Sequence, residues 1–221
     1  MTDRMTATAA AMLGLGALAL AQGAAKPMSP NGAAAAQVLG KWVKPQRQAF
    51  TLGGESYQGG KWVEVSFGRP LKRGRDLWGS GADYGKAALV GTPIWRAGAN
   101  VSTRLKTEVP LVIDGKTVAA GEYSLFIDLK EQGWTFVVSS WPAQQQYDPN
   151  NKTALWGSYE YTPDRDVLRA PMKRETLSHS FEQLSWEFLD MTDAGGTLAV
   201  IWDKTLASVA FKVAGPAAAG M

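Results

Sequence analysis

Short runs of alternating apolar and polar side chains dominate the chain from residue 38 onward. In residues 61–67, for example, Val63, Val65 and Phe67 occupy every second position. Successive side chains of a strand point to opposite faces of the sheet, so a period of two residues is typical of a half-buried strand. Gly, Pro, Asn and Asp separate the runs. The pattern predicts an all-β fold, an antiparallel β-sandwich or jelly roll of about nine strands.

The strongest signal for a turn is the pair Asp114-Gly115, which lies between the apolar runs 111–113 and 117–118. A tight hairpin turn needs two residues with positive φ, and Asp-Gly is a preferred pair for it. We therefore predict a hairpin at this point. Further strands are predicted over residues 121–129, 134–140, 166–172, 180–189, 197–202 and 208–213.

Two weaker local signals complete the map of elements. Gly195-Gly196 predicts the turn of the last meander, because paired glycines favour turns. Residues 81–89 have the mixed propensity of a short helix. Neither an internal repeat nor a linker between domains is found after residue 40, so one β domain is predicted over residues 38–214.

The two ends of the chain follow other patterns. Arg4 precedes an uncharged apolar stretch that ends in Ala19-Leu20-Ala21, which is the order of regions in a secretory signal peptide, predicted here over residues 1–21. The stretch is shorter than the about 20 apolar residues that span a bilayer, so no membrane span is expected in the mature chain. A flexible lead-in is predicted over residues 22–37, and a flexible tail over residues 215–221. The protein is expected to be exported to the periplasm or to the outside of the cell.

The residue counts exclude several kinds of chemistry. The chain has no Cys and a single His, His179, so thiol nucleophiles, thiolate metal sites and multi-His zinc sites cannot form. Ser-His-Asp catalysis would depend on His179 alone, which lies in a polar stretch typical of a surface. Neither a Walker-type phosphate loop nor a dinucleotide fingerprint occurs. We therefore predict no metal and no cofactor.

The charge pattern does not indicate a nucleic-acid partner. The formal net charge is +3, and Lys and Arg are scattered along the chain. The main exception is the segment 69–75, with the sequence Arg-Pro-Leu-Lys-Arg-Gly-Arg. Because no DNA- or RNA-binding module accompanies this segment, we predict no nucleic-acid partner.

Several central motifs, taken in order, are similar to those of a known family. They are Phe67-Gly68-Arg69-Pro70, Lys72-Arg73-Gly74-Arg75, Trp95-Arg96-Ala97-Gly98-Ala99-Asn100, Asp114-Gly115-Lys116, Glu122-Tyr123-Ser124-Leu125-Phe126 and Asp166-Val167-Leu168-Arg169. Over about residues 40–190 the chain resembles the bacterial family catalogued as domain of unknown function 2911. The resemblance implies an exported, mainly β protein, and it carries over no activity, ligand or catalytic residue.

The chain departs from the pattern of that family at two positions. Ala97 stands where the family usually has Thr, and Val101 stands where it has an acidic residue. Any role that requires a carboxylate beside Asn100 is therefore in question for this chain.

Two loops that carry arginine supply the candidate binding chemistry. Arg96 can hold a carboxylate, phosphate or sulfate through two parallel hydrogen bonds, and Asn100 can orient that group. A sandwich brings loops together at its ends, so the basic loop 69–75 is expected to join them there. The predicted ligand-binding residues are Arg69, Arg75, Trp95, Arg96 and Asn100. In the structural alternative, Trp95 packs in the core while Arg96 and Asn100 satisfy loop carbonyls.

The nine tryptophans suggest a second kind of ligand. Flat aromatic faces bind pyranose rings, and the candidates near loops or turns are Trp42, Trp78, Trp141 and Trp156. The tryptophans inside predicted strands are expected to fill the core instead, namely Trp62, Trp134, Trp186 and Trp202.

Three functions remain open at this point. The favoured interpretation is a non-catalytic binding module for a glycan, a peptide or a small anion. The alternative is an envelope hydrolase that uses an Arg/Asn site or carboxylates such as Glu64 and Glu187, but nothing in the sequence shows that two carboxylates face each other. A second alternative is a structural or assembly partner that uses an exposed strand edge.

Overall fold

The structure is a computed structural model and describes residues 29–44 and 54–214. The predicted signal peptide, residues 22–28 of the predicted lead-in and the predicted tail lie outside the described residues. The described strands, in chain order, are β1 (Asn31–Val38), β2 (Lys41–Val43), β3 (Ser56–Gln58), β4 (Lys61–Gly68), β5 (Thr103–Thr107), β6 (Leu111–Ile113), β7 (Lys116–Val118), β8 (Gly121–Lys130), β9 (Gly133–Ser139), β10 (Asp166–Pro171), β11 (Lys173–Thr192) and β12 (Gly195–Val213). The helical segments are α1 (Lys86–Leu89) and two 3-10 turns, Gly81–Asp83 and Pro163–Arg165.

Two antiparallel sheets form the sandwich that the alternating pattern predicts. One sheet has six strands in the order β1-β4-β5-β8-β9-β10, and the other has four in the order β11-β12-β6-β7. Strands β2 and β3 form a separate two-stranded ribbon. Inward-facing side chains of both sheets, such as Val65, Phe136 and Trp186, belong to one buried apolar cluster. The all-β sandwich is thus confirmed, because each sheet buries its apolar face against the other.

The predicted hairpin at Asp114-Gly115 is confirmed. These two residues have φ angles of 48° and 73°, and they join β6 to β7. Ile113 pairs with Lys116 directly across the turn. Both central residues have positive φ, as a two-residue hairpin turn of this kind requires.

The predicted turn at Gly195-Gly196 was wrong. Strand β11 continues to Thr192, which pairs with Gly195, so the turn consists of residues 193–194. Gly195 has a φ of 144°, and a Cβ there would overlap the carbonyl oxygen of Phe211. The glycine therefore serves a close approach of two backbones inside the sheet.

The predicted flexible lead-in was wrong for its last residues. Residues 31–38 form β1, which pairs along its whole length with β4, from Asn31 opposite Gly68 to Val38 opposite Lys61. This strand is rich in Ala, which has no β propensity, so its sequence does not predict a strand. The partner β4 induces the extended conformation by supplying hydrogen bonds along one edge.

The tryptophans follow the predicted division only in part. Of the ligand candidates near loops or turns, Trp141 is buried and Trp78 packs against the core. Trp134, Trp186 and Trp202 are buried in the sandwich core. Trp62 is exposed, because it alternates with the inward-facing Val63 and so lies on the outer face of β4. The expectation that Trp62 fills the core was therefore wrong.

The loop between β9 and β10 covers part of the outer face of the six-stranded sheet. Phe126 of β8 and Val137 of β9 point outward, yet both are fully buried. They pack in a second apolar cluster with Trp141, Leu155 and Tyr161 of this loop. The loop is thereby fixed beside the segment that leads into β5.

Within residues 29–44 and 54–214, none of the helices has the length and apolar character needed to cross a bilayer.

Candidate functional site

A cleft of about 450 Å³ lies where the loop after β4, helix α1 and the segment before β5 meet. We call it the arginine cleft, because Arg73, Arg75 and Arg96 line it. Asn100 and the indoles of Trp95 and Trp202 contribute further lining. No Asp or Glu is found among the described residues that line this cleft.

Tightly packed tryptophans form the floor of the arginine cleft. Trp95 is only 2% exposed, and its backbone exchanges two hydrogen bonds with Ile127 of β8. Its ring stacks on that of Trp202, with 6.1 Å between the centroids and 9° between the planes. Trp78 and Trp134 contact Trp95 edge to face. Trp95 is therefore mainly a core residue that presents little surface to a ligand.

The side chain of Arg75 is held in place by its own loop. Its Nε donates to the carbonyl oxygen of Lys72 at 2.9 Å, and its Nη2 donates to that of Leu71 at 2.6 Å. The guanidinium carbon also lies 5.5 Å from the ring centroid of Trp202. A guanidinium has five N–H donors, so these contacts leave part of its donor set for a ligand.

The side chain of Arg96 is half-buried and is held from two sides. Its Nη1 donates to the carbonyl oxygen of Asn100 at 2.8 Å, and its guanidinium lies over the ring of Tyr159. A Cβ at Gly157 would overlap this guanidinium, so the glycine makes room for it. Within the part of the chain that the structure describes, neither Arg75 nor Arg96 forms an ion pair with a carboxylate.

The segment between Arg96 and Asn100 is locked against the core. The carbonyl oxygen of Ala97 accepts hydrogen bonds from Trp186 Nε1 at 2.9 Å and from Thr103 Oγ1 at 3.2 Å. Ala97 and Asn100 both have positive φ, at 47° and 63°. Such a conformation persists only where surrounding contacts hold it, so Arg96 projects from a fixed support.

An ion pair anchors the basic loop to β12. Lys72 Nζ lies 2.7 Å from Asp203 Oδ1, which also accepts a hydrogen bond from Ser180 at 2.7 Å. Desolvation of Asp203 opposes its ionisation. The hydrogen bonds from Lys72 and Ser180, together with the charge of Lys72, outweigh this effect and hold the pKa of Asp203 below its ordinary value.

Arg69 lies outside the arginine cleft, unlike the other four predicted residues. Its Nε donates to the carbonyl oxygen of Leu184 at 3.4 Å, and its own carbonyl accepts from Gln183 Nε2 at 3.3 Å. Its backbone N–H donates to the carbonyl oxygen of Pro30 at 2.9 Å. Arg69 therefore connects the segment before β1 with β11, whereas Arg75, Trp95, Arg96 and Asn100 meet at one cleft.

Sequence reasoning missed two residues of this cleft. Arg73 lies in the basic loop, but nothing in the sequence distinguishes it from Arg69 as a ligand residue. Its φ of 51° and that of Gly74, 69°, turn the chain back at this point. The sequence predicts Trp202 only as a core residue of a strand, and nothing in the sequence indicates that Arg75 lies over its ring.

The candidate carboxylates of a hydrolase are divided between the two sheets. Glu64 is on β4 and lines a separate groove with Glu122 of β8, and Lys106 lies between them in the strand register. Glu187 is on β11, in the other sheet. The row Glu64, Lys106 and Glu122 has the alternating charges of stabilising cross-strand pairs.

The remaining reactive groups form no recognisable catalytic set. His179 is exposed on β11, with its Nδ1 2.9 Å from Ser178 Oγ. Within residues 29–44 and 54–214, His, Asp and Glu nowhere form a group of three or more that could hold a metal ion.

A family model described as protein of unknown function, DUF2911, matches residues 53–211. The chain belongs to this family. The resemblance noted in the sequence is thus confirmed, and the DUF2911 match extends beyond residue 190 through most of β12. It includes the arginine cleft residues from Pro70 to Trp202, whereas β1 and β2 precede it. No curated protein and no solved structure matched the chain.

Proposed function

We propose that this DUF2911 protein is a non-catalytic binding protein whose arginine cleft takes a small ligand with a carboxylate, phosphate or sulfate group. The observation that carries the proposal is the composition of the lining, with Arg73, Arg75 and Arg96 but no described Asp or Glu. A cleft lined by charge of one sign and by low-dielectric walls focuses the electric field and attracts ions of the opposite sign.

The size and floor of the arginine cleft support a small molecule rather than a polymer. A volume of about 450 Å³ falls in the range of about 300 to 1,000 Å³ that is usual for small-molecule sites. Leu71 and Ala88, with the small exposed surface of Trp95 and Trp202, give the cleft an apolar side. We infer that the ligand combines an anionic group with an apolar body.

The fixed arginines support tight and selective binding. Arg75 and Arg96 are each oriented by backbone carbonyls and by an aromatic ring. Ordering a long side chain costs about 0.5 to 1.5 kcal/mol on binding, and a side chain that is already held avoids much of this cost. A planar guanidinium also matches a carboxylate or phosphate in two parallel hydrogen bonds.

We place this binding outside the cytoplasm. The secretory pattern of residues 1–21 supports export, and both the periplasm and the exterior of the cell are compatible with it.

Calorimetric titration of the mature chain with phosphate, sulfate, citrate and phenyl phosphate tests the proposal. At least one anion should bind, phenyl phosphate should exceed phosphate because of its apolar body, and added salt should weaken binding. Arg75→Gln and Arg96→Lys should each lower affinity about tenfold. Lys116→Gln, which removes an exposed positive charge on β7, should leave affinity unchanged.

Three results would contradict the proposal. One is the absence of binding by all four anions at about 10 mM. Another is consumption of a bound ligand, followed by NMR, because turnover would support the hydrolase alternative. The third is an unchanged affinity in both arginine variants, which would place any binding elsewhere.

A further inference from the structure

A second groove, also of about 450 Å³, lies within the loop between β9 and β10. We call it the aromatic groove, because Tyr147, Trp156 and Tyr159 line it. Tyr147 is 63% exposed and Tyr159 is 46% exposed. Large aromatic side chains that gather at a concave surface, rather than in the core, are typical of a binding site.

Two of the three rings contact each other, and the third is held by a different neighbour. The ring centroids of Tyr147 and Trp156 are 6.0 Å apart, and their planes are inclined by 58°. Tyr159 is supported separately by the guanidinium of Arg96, 5.4 Å from its ring centroid. All three rings line the groove and offer it apolar surface.

Hydrogen-bonding groups lie in the same groove as the rings. Lys152 Nζ is 2.7 Å from Glu160 Oε1, and both side chains are largely exposed. An exposed ion pair contributes at most about 1 kcal/mol, so either partner can exchange this contact for one with a ligand. Asp148 and Asn151 add further polar lining. Donors and acceptors thus line the same groove as the apolar faces.

A buried amide holds the groove in shape without a ligand. The Nε2 of Gln144 donates to the carbonyl oxygens of Asn151 at 3.1 Å and Ala154 at 2.9 Å. Its Oε1 accepts from the backbone N–H of Asp148 at 2.8 Å. Gln144 therefore ties together the two sides of the loop that carries the rings, and little conformational entropy is lost on binding.

We propose that the aromatic groove binds a neutral pyranose unit of a glycan. The apolar C–H face of a pyranose packs against aromatic rings, and its hydroxyls both donate and accept hydrogen bonds. Tyr147 and Tyr159 supply the apolar faces, while Lys152 and Glu160 supply a donor and an acceptor. The site is separate from the arginine cleft and requires no anionic group on the ligand.

A proline-rich peptide is the main competitor for an aromatic groove. Such segments dock on aromatic-lined grooves in an extended PPII helix, mainly through apolar contacts. Prolines lack an N–H, so a polyproline segment offers no backbone donor to Glu160, whereas sugar hydroxyls can both donate and accept. The polar groups within this groove therefore favour the sugar.

Titration with cellotetraose, chitotetraose and maltotetraose, followed by calorimetry, tests the proposal. We expect at least one tetrasaccharide to bind. Tyr147→Ala should weaken it about tenfold, equivalent to about 1.4 kcal/mol. Glu160→Gln should weaken it less, because the amide keeps an acceptor oxygen.

Two matched variants distinguish this site from other surfaces. Phe181→Ala removes an exposed aromatic ring from β11 and should leave tetrasaccharide affinity unchanged. Arg75→Gln, in the arginine cleft, should also leave it unchanged, so failure of the anion proposal does not affect this one. Because Tyr147 is largely exposed, the thermal unfolding curve of Tyr147→Ala should match that of the native chain. Lys152→Gln is a second variant within the groove, which removes the charged donor and leaves the aromatic surface intact.

Three outcomes would overturn the proposal. The first is that none of the three tetrasaccharides binds at about 10 mM. The second is equal affinity in the native chain, Tyr147→Ala and Lys152→Gln. The third is binding of a decaproline peptide that Tyr147→Ala abolishes while the sugars do not bind, which would assign the groove to peptides.

Discussion

The guanidinium of Arg96 lies over the ring of Tyr159, with 5.4 Å between its central carbon and the ring centroid. Arg96 lines the arginine cleft and Tyr159 lines the aromatic groove, so this pair links the two candidate sites. A cation over an aromatic face is worth about 0.5 to 1 kcal/mol at an exposed position. The contact therefore orients both side chains more than it stabilises the fold.

The first prediction concerns Gly157, which makes room for Arg96. Gly157→Ala should lower the free energy of unfolding by about 1 to 3 kcal/mol, because φ is +64° and the new Cβ would overlap the guanidinium. Denaturant titration measures the loss. Gly133→Ala is the matched control: its Cβ would meet no atom within 4 Å, and its stability should stay within about 0.5 kcal/mol of the native chain.

The second prediction separates the binding role of Arg96 from its structural role. Arg96→Ala should cost about 1 kcal/mol or less in unfolding free energy, because the orphaned carbonyl belongs to the exposed Asn100 and water can replace the donor. Both Arg96→Ala and Arg96→Lys should nevertheless weaken binding of the anionic probes. A loss of about 3 kcal/mol in Arg96→Ala, with unchanged binding in Arg96→Lys, would identify Arg96 as a structural clamp only.

The third prediction tests the hairpin between β6 and β7. Gly115→Val should destabilise the protein by about 1 kcal/mol or more, because Gly115 has a φ of 73° that a β-branched residue adopts only under strain. Asp114→Asn should be tolerated, since Asn also accepts positive φ. Equilibrium unfolding in urea compares the two variants, and equal stabilities would mean that the turn places no demand on its second residue.

The fourth prediction is a pH dependence that arises from Asp203. Its pKa is lower in the folded chain than its ordinary value of 3.8, so the folded state favours the ionised carboxylate. The resulting stabilisation is present above about pH 4 and is lost as the pH falls through the lowered folded pKa. Asp203→Asn should therefore destabilise the protein at pH 7 by about 1 kcal/mol and have a smaller effect near pH 2.

The ion pair with Lys72 supplies the control for this measurement. Lys72→Gln should reduce stability over the same pH range, and the double variant should lose less than the sum of the two single losses. Additive losses at pH 7 would show that Lys72 and Asp203 do not interact.

The fifth prediction concerns the leader. Export should remove residues 1–21, because an uncharged apolar stretch precedes Ala19-Leu20-Ala21. Mass spectrometry of the N-terminal peptide of exported protein checks the cleavage point. Exported protein that begins at Met1 would contradict it.

Local patterns were enough to predict the class of fold. The alternation at Val63, Val65 and Phe67 reports which face of a strand is buried, and Asp114-Gly115 reports a turn, because both depend on neighbouring residues only. Strand β1 was not predicted, because its alanines do not favour a strand and adopt the extended conformation through pairing with β4. The prediction of a turn at Gly195 was wrong because the glycine is needed for another reason. It leaves room for the carbonyl oxygen of Phe211, which is close in space but distant in sequence.

The candidate sites divide in the same way. The amino-acid sequence by itself determined that Arg96 and Asn100 lie in one short motif and that Arg75 lies in a basic loop. Only the tertiary structure decided that Arg75 and Arg96 share a cleft over Trp202, that Arg69 faces elsewhere, and that Tyr147 and Tyr159 form a groove. The physical reason is that local side-chain patterns encode strands and turns, whereas the meeting of loops depends on how two twisted sheets pack and which carbonyls each loop satisfies.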